Sequence, residues 1–190
     1  MLVLVGCEES QTVTRAFRVR GHIAYSCDQI PTRGNPDWHL QGDVMDAVNA
    51  AAWDLIILHP PCTAMAVAGN GTYGAGKKKH HERAKAIEWT LDLWRRAIDR
   101  AAYVALENPK SIIFNYLQNV QYIKPEYFGH AQTKLTGLAL KNLPFLKPTN
   151  VVCGWDDSLH RLPPSEDRAR IRSTTFDGVA QAMADQWGEL

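Results

Sequence analysis

Several signatures are missing from this sequence, and each absence removes a class. No apolar run approaches the ~18 residues of a membrane span, and no signal-peptide pattern is present, so neither a membrane anchor nor secretion is expected. Neither Gly-x-Gly-x-x-Gly nor Gly-x-x-x-x-Gly-Lys-Ser occurs, which excludes a dinucleotide fingerprint and a P-loop. Cysteine is scarce: Cys7, Cys27, Cys62 and Cys153 match no zinc or Cys-x-x-Cys spacing and suggest no disulfide framework, so no metal is expected. An excess of one charge is missing too. Lys and Arg number 21 against 20 Asp and Glu, a net charge of +1, so any basic footprint for a nucleic acid has to be local. The 190 residues fit one domain with a real core, and a reducing cytoplasm suits the free thiols.

What is present alternates between strand and helix. Leu2-Val3-Leu4-Val5 reads as a buried strand, followed by a turn at Gly6. Gln11 to Arg20 reads as a helix stopped by Gly21. A second strand, His22 to Ser26, closes on Cys27-Asp28, and residues 31–38 read as a loop. A short helix spans Val44 to Ala51 and a strand Asp54 to His59. The glycine- and lysine-rich stretch Ala66 to Lys79 reads as a mobile loop over a site. Glu82 to Ala102 is the clearest helix, because Ile87, Leu91, Trp94 and Ile98 form one apolar stripe. Tyr103 to Leu106 is a strand, and Gln121 to Leu140 holds two more joined near Gly129. Residues 142–174 read as irregular and Thr175 to Trp187 as a closing helix. This order predicts an α/β fold: a mostly parallel twisted sheet with helices on both faces. Ligands in such folds sit beyond the carboxyl ends of the strands. Gly6-Cys7-Glu8-Glu9, Asp28, Asp43, Cys62 and Glu107 all fall there.

Two strand ends carry the chemistry. One runs into Pro60-Pro61-Cys62 and the other into Glu107-Asn108-Pro109. A thiol and a carboxyl are what covalent chemistry on a pyrimidine requires. A thiolate adding at carbon 6 of cytosine makes carbon 5 nucleophilic, and a carboxylic acid at ring nitrogen 3 eases the addition. Two prolines stiffen the turn that holds the cysteine. Partial desolvation is expected to raise the Glu107 pKa towards neutral.

The acids after the first strands suit a cationic, phosphate-free adenosine such as S-adenosylmethionine. Asp28 stands where a carboxylate accepts bonds from a ribose diol, and Asp43 where one takes an adenine amino group. Glu8 and Glu9 either line this site or only begin the first helix, where carboxylates favour the dipole. Basic footprints are offered by Lys77-Lys78-Lys79-His80-His81 and by Arg161, Arg168, Arg170 and Arg172.

Over most of its length the chain resembles the DNA cytosine-5 methyltransferases, and more closely their small phage-encoded members. Val5-Gly6-Cys7-Glu8-Glu9-Ser10 stands at the family's first cofactor loop, Asp28 at its ribose acid, and Gly42-Asp43-Val44 at its Gly-Asp-Ile. Pro61-Cys62-Thr63 corresponds to Pro-Cys-Gln, Glu107-Asn108-Pro109 to Glu-Asn-Val, and Gln132-Thr133-Lys134-Leu135-Thr136 to a worn Gln-x-Arg-x-Arg. Thr174 to Trp187 resembles the last cofactor-side helix. The resemblance implies the Rossmann-like fold of S-adenosylmethionine-dependent methyltransferases. It implies Cys62, Glu107 and Asn108 as catalytic residues. Gly6, Cys7, Glu8, Glu9, Asp28, Asp43 and Pro60 would bind the cofactor. Lys77, Lys78, Lys79, Gln132, Lys134, Arg168, Arg170 and Arg172 would bind DNA. The target base would be flipped or single-stranded, in a host cytoplasm if the chain is phage-encoded.

Residues 142–174 are few for a separate target-recognition domain, so a single catalytic domain reading a short sequence context is expected. Amino-group methyltransferases place an aromatic after Asp-Pro-Pro or Asn-Pro-Pro. Here Cys62 holds that position and His59 replaces the acid or amide, which favours carbon chemistry. Modification of free deoxycytidylate, or a non-catalytic binding role on the same fold, are the alternatives.

Overall fold

In a computed structural model, residues 1–154, 156–163, 165 and 167–190 are described. The chain begins β1 (Leu2–Gly6), α1 (Thr12–Val19), β2 (Ile23–Asp28), β3 (His39–Gln41), α2 (Val44–Asn49) and β4 (Leu55–Leu58). It continues with α3 (Asn70–Tyr73), α4 (His80–Arg100), β5 (Tyr103–Pro109), β6 (Val120–Ile123) and β7 (Thr136–Lys141). Three helices close it: α5 (Ser158–Arg161), α6 (Asp167–Ser173) and α7 (Asp177–Trp187).

The strands form one seven-stranded sheet in the order β3-β2-β1-β4-β5-β7-β6. The first five pair in parallel, and β7 runs antiparallel to both β5 and β6. Strand side chains alternate between faces, and each face has its own core. Val3, Val5, Leu55 and Ile57 pack with Phe17 of α1 and with Met183 and Trp187 of α7. Leu4, Ile56 and Leu58 pack on the opposite side with Val44 and Val48 of α2 and Leu93 and Ala97 of α4. The strands are covered on both faces, which is why they read as continuous apolar runs. Among the described residues, no helix is long and apolar enough to cross a membrane.

The structure departs from the sequence reading in four places. A strand, β3, follows the 31–38 loop. It pairs with Ser26 to Asp28 of β2, and the Ser26 hydroxyl lies 2.8 Å from His39 Nδ1. The stretch 66–79 contains a 3₁₀ turn, Val67–Gly69, and the short helix α3. β5 runs on to Pro109, because β7 pairs with it beyond the last residue matched by β4. Gly129, with φ of 88°, lies in the β6–β7 connection. Of the segment 142–174, the structure includes α5 and α6. Trp155, Pro164 and Glu166 lie outside the described residues.

Candidate active site

The β4–β5 ladder runs from Leu55↔Tyr103 to Leu58↔Leu106 and stops. Pro60 and Pro61 have no N–H to donate, so β4 cannot continue as a central strand. β5 continues along β7, with Glu107 opposite Leu138 and Asn108 opposite Gly137. The two chains therefore part where the thiol and the carboxyl stand. The Asn108 side chain donates to the Pro60 carbonyl at 2.9 Å, bridging the parting strands. Asn108 is 1% exposed, and its Oδ1 has no partner among the described residues.

A turn follows Cys62, whose carbonyl accepts the N–H groups of Met65 at 3.0 Å and Ala66 at 2.7 Å. Arg83 of α4 fastens this turn. Its guanidinium, on a residue 5% exposed, donates to the Ala64 carbonyl at 2.6 Å, to Asn70 Oδ1 at 2.8 Å and to the Ala66 carbonyl at 3.4 Å. The stretch after the cysteine is thus tied to the longest helix.

Glu107 is 7% exposed. Its Oε2 lies 3.0 Å from His59 Nδ1, and both side chains are about nine-tenths buried. Burial pushes the carboxyl up, but the hydrogen bond from His59 and the Lys134 ammonium together outweigh it, leaving Glu107 below its ordinary value. This corrects the expected rise towards neutral: desolvation is present, and the cations gathered around the group reverse its effect. Burial and the neighbouring Glu107 carboxylate leave the half-buried Cys62 thiol above its ordinary value, and Lys134 and Arg172 offset only part of that rise. Lys134 Nζ donates to the Arg172 carbonyl at 3.1 Å, which brings the end of α6 to this site. A small pocket beside Glu107 is lined by Lys134, Thr136, Ile123 and Pro125 and by Thr175, Phe176 and Val179 around the start of α7.

On the β1–β2 side, the left-handed residue of the first turn is Cys7, with φ of 59°. Gly6 ends the strand and serves close packing. A Cβ there would stand 2.6 Å from Val44 Cγ2 and 3.0 Å from Leu58 Cδ2. Burial, together with Asp28, Cys27 and Asp43, raises the Cys7 thiol strongly. Glu8 is buried and caps α1. It accepts the Val13 N–H at 2.6 Å, the Thr14 N–H at 3.2 Å and the Thr14 hydroxyl at 2.7 Å. Glu9 pairs with Arg33 at 2.7 Å and with Arg170 at 3.6 Å. Asp28 accepts the Ile30 N–H at 3.2 Å on Oδ1. Asp43 caps α2 through the Met45 N–H at 2.8 Å and is exposed. Pro60 is buried at the end of β4. The structure brings Cys7, Asp28 and Asp43 within one another's field, while the Glu8 and Glu9 carboxylates are taken by internal partners.

The basic residues divide. Lys77, Lys78 and Lys79 are exposed ahead of α4, with Lys79 3.3 Å from Glu82. Lys134 and Arg172 act on the Cys62–Glu107 pair. Arg170 pairs with Glu9 and Asp167. Gln132 bonds to Asp156 and, at 3.1 Å, to Ser158. Arg168 Nε is buried without a partner among the described residues. No cluster of three or more potential metal ligands occurs among the described residues.

Two residues of the site were not singled out from sequence as functional. Arg83 carries no signal beyond being a charge on the inner face of a helix. His59 does carry one: an ionisable side chain directly after a buried strand and before the prolines.

No protein-family model and no curated protein matches the sequence. Solved structures do match in fold. The chain is similar to a candidate DNA modification methyltransferase encoded within an E. coli prophage, with a TM-score of 0.54 and 12% identity over 86% of this chain and 55% of that one. It is similar to the methyltransferase EhMeth of Entamoeba histolytica, with a TM-score of 0.53 and 10% identity over 87% of this chain and 60% of that one. A third is the Dnmt2 methyltransferase of S. pombe, with a TM-score of 0.50 and 15% identity over 76% of this chain and 51% of that one. The chain therefore spans between 51% and 60% of the length of these structures. With the strand order and two-sided helical cover described above, these matches give the chain the Rossmann-like fold of S-adenosylmethionine-dependent methyltransferases.

Proposed function

We propose that this chain methylates carbon 5 of cytosine in DNA, using S-adenosylmethionine and a transient bond between Cys62 and carbon 6. The observation that carries this reading is the placement of Cys62 and Glu107 where β4 and β5 part, with the turn before the thiol tied to the residue after the carboxyl by the Asn108–Pro60 bond. The solved structures similar to the chain include a candidate DNA modification methyltransferase, which supports DNA as the substrate.

The residues at the carboxyl ends of β1 and β2 fit the cofactor. Asp28 retains an oxygen, Oδ2, with no bond among the described residues, which suits a ribose diol. Asp43 is exposed beside it and suits the adenine amino group. Gly6, Cys7 and Pro60 would form the floor of the site. Glu8 and Glu9 act behind it, one by capping α1 and the other by holding Arg33 and Arg170. S-adenosylmethionine, when bound, supplies an electrophilic methyl group.

The chain's own side chains do the rest. Cys62, as thiolate, adds to carbon 6, and Lys134 and Arg172 favour the thiolate against burial. Glu107 holds ring nitrogen 3, and Asn108 fixes the distance between the two by tethering Pro60. The thiol is half-buried and the carboxyl buried, so a stacked base cannot reach them. The target must leave the stack or start single-stranded. Lys77, Lys78, Lys79, Lys134, Arg168 and Arg172 would contact phosphates, which position a strand without specifying it. The described residues of 142–174 form the short helices α5 and α6, which supports readout of a short sequence context by a single domain. A reducing cytoplasm is the compartment that keeps such a thiol reduced.

Nucleosides from the DNA of cells expressing the chain test this reading by mass spectrometry. 5-Methyldeoxycytidine should accumulate with the wild type and disappear with Cys62→Ala. Turnover of free deoxycytidylate with no mark on DNA would move the substrate to the nucleotide. No modified cytosine in either pool would remove the reading.

A further inference from the structure

Among the described residues, His59 is the side chain hydrogen-bonded to the Glu107 carboxylate. It directly follows β4, its backbone N–H is held by the Gly6 carbonyl at 2.9 Å, and the prolines that follow fix its direction. An ionised carboxylate only accepts, so the shared proton sits on His59 Nδ1. The opposite ring nitrogen, Nε2, is buried with no partner among the described residues. An orphaned buried polar atom costs about 1–3 kcal/mol, and such groups in folded chains call for an explanation beyond packing. An asparagine would bond Glu107 Oε2 equally well without burying a second ring nitrogen. What an imidazole adds over an amide is a proton it can surrender.

We propose that His59 is a positioning residue that stores the proton Glu107 delivers to ring nitrogen 3 of cytosine. The inference rests on the roles given to Cys62 and Glu107 under the proposed function. The Cys62 thiol first releases its proton to solvent. The sulfur–carbon 6 bond then forms, and the carbon 5–carbon 6 π pair moves through carbon 4 onto nitrogen 3. The Glu107 carboxylate takes the proton from Nδ1 of the His59 imidazolium and passes it to nitrogen 3, which leaves the carboxylate ionised and the imidazole neutral. When the thiolate later leaves, the proton returns along the same path. Lys134 also acts on Glu107, but its ammonium bonds the Arg172 carbonyl rather than the carboxylate. Among the described residues, the other charged or titratable groups at the pair are Cys62 on the same turn and, through Cys62, Arg172 of α6.

The test compares two rings in otherwise identical DNA oligonucleotides. Cytosine needs help at nitrogen 3 before carbon 6 accepts a thiolate. In 5-azacytosine the added ring nitrogen makes carbon 6 electrophilic without that help. His59→Asn keeps a donor near the Nδ1 position, and His59→Gln offers a longer one. Calorimetry with S-adenosylhomocysteine checks that each variant keeps its fold. On cytosine, the single-turnover rate of His59→Asn should fall about 10²-fold, the lower end for loss of acid–base help. On 5-azacytosine, the rate of covalent adduct formation should stay within a few-fold of wild type. Equal losses on both rings in both variants would make His59 a structural donor and overturn the proposal. So would an unchanged rate on cytosine. Wild-type protein that forms no adduct with either ring would instead overturn the roles of Cys62 and Glu107.

Discussion

Asn108 reaches from β5 to the Pro60 carbonyl at 2.9 Å, so the residue next to the carboxyl holds the turn that carries the thiol. The contact is buried and, with the His59–Glu107 bond, spans the parting of β4 and β5. It makes the spacing of Cys62 and Glu107 a property of one hydrogen bond as well as of the sheet.

Asn108→Ala should therefore cost more in activity than in stability. Losing the bond and leaving the Pro60 carbonyl unpaired costs about 1–3 kcal/mol, measurable by urea denaturation. The rate of adduct formation should drop while cofactor binding persists. A variant with full rate would show that the prolines alone set the turn.

Gly6 is constrained by space. A methyl group there meets Val44 Cγ2 at 2.6 Å and Leu58 Cδ2 at 3.0 Å. Gly6→Ala should destabilise by about 1–3 kcal/mol through overpacking. Adding Val44→Ala should return part of that loss, because it removes the atom met first. Calorimetric unfolding of the two single variants and the double variant checks the coupling.

Acid should weaken the fold through Glu107. Its folded pKa lies below the ordinary 4.5, so between the two values the unfolded chain binds a proton that the folded chain refuses. The stabilisation is complete above 4.5 and fades as pH falls through the folded value. In urea unfolding at several pH values, wild type and Glu107→Gln should differ most near neutral pH and converge on acidification. A gap that widens in acid would mean that Glu107 is protonated in the fold.

Cofactor binding should depend on Asp28 and Asp43. Calorimetry with S-adenosylmethionine or S-adenosylhomocysteine should show binding that alanine at either position weakens. Glu8→Ala should instead act on stability, since its carboxylate is consumed by Val13 and Thr14 at the start of α1.

The strands β1, β2 and β4 and the helices α1, α4 and α7 were legible because apolar residues at strand or helix period dominate them. The convergence of loops at one sheet edge followed from their order. β3 was not legible: three residues, two of them exposed, carry no period, and the strand exists because β2 offers it a partner. The extension of β5 past Leu106 depends on β7, distant in sequence, so no local pattern announces it. The carboxylates of the first loop could be read as cofactor ligands or as helix starters. Only packing decides that Glu8 caps α1 and that Glu9 meets Arg33 and Arg170. The direction of the Glu107 shift also escaped, because burial is readable from an apolar strand but the arrival of Lys134 from the β6–β7 connection is not.

The most direct measurement uses DNA carrying 5-fluorocytosine, whose carbon 5 has no proton to lose after methyl transfer. Incubated with S-adenosylmethionine, the wild-type protein should become trapped as a covalent complex that survives denaturing electrophoresis, with Cys62 identified as the attached residue by peptide mass spectrometry. Cys62→Ala should bind the cofactor and form no complex. A Cys62→Ala protein that still methylates cytosine at near wild-type rate, or a complex attached through another residue, would contradict Cys62 as the nucleophile.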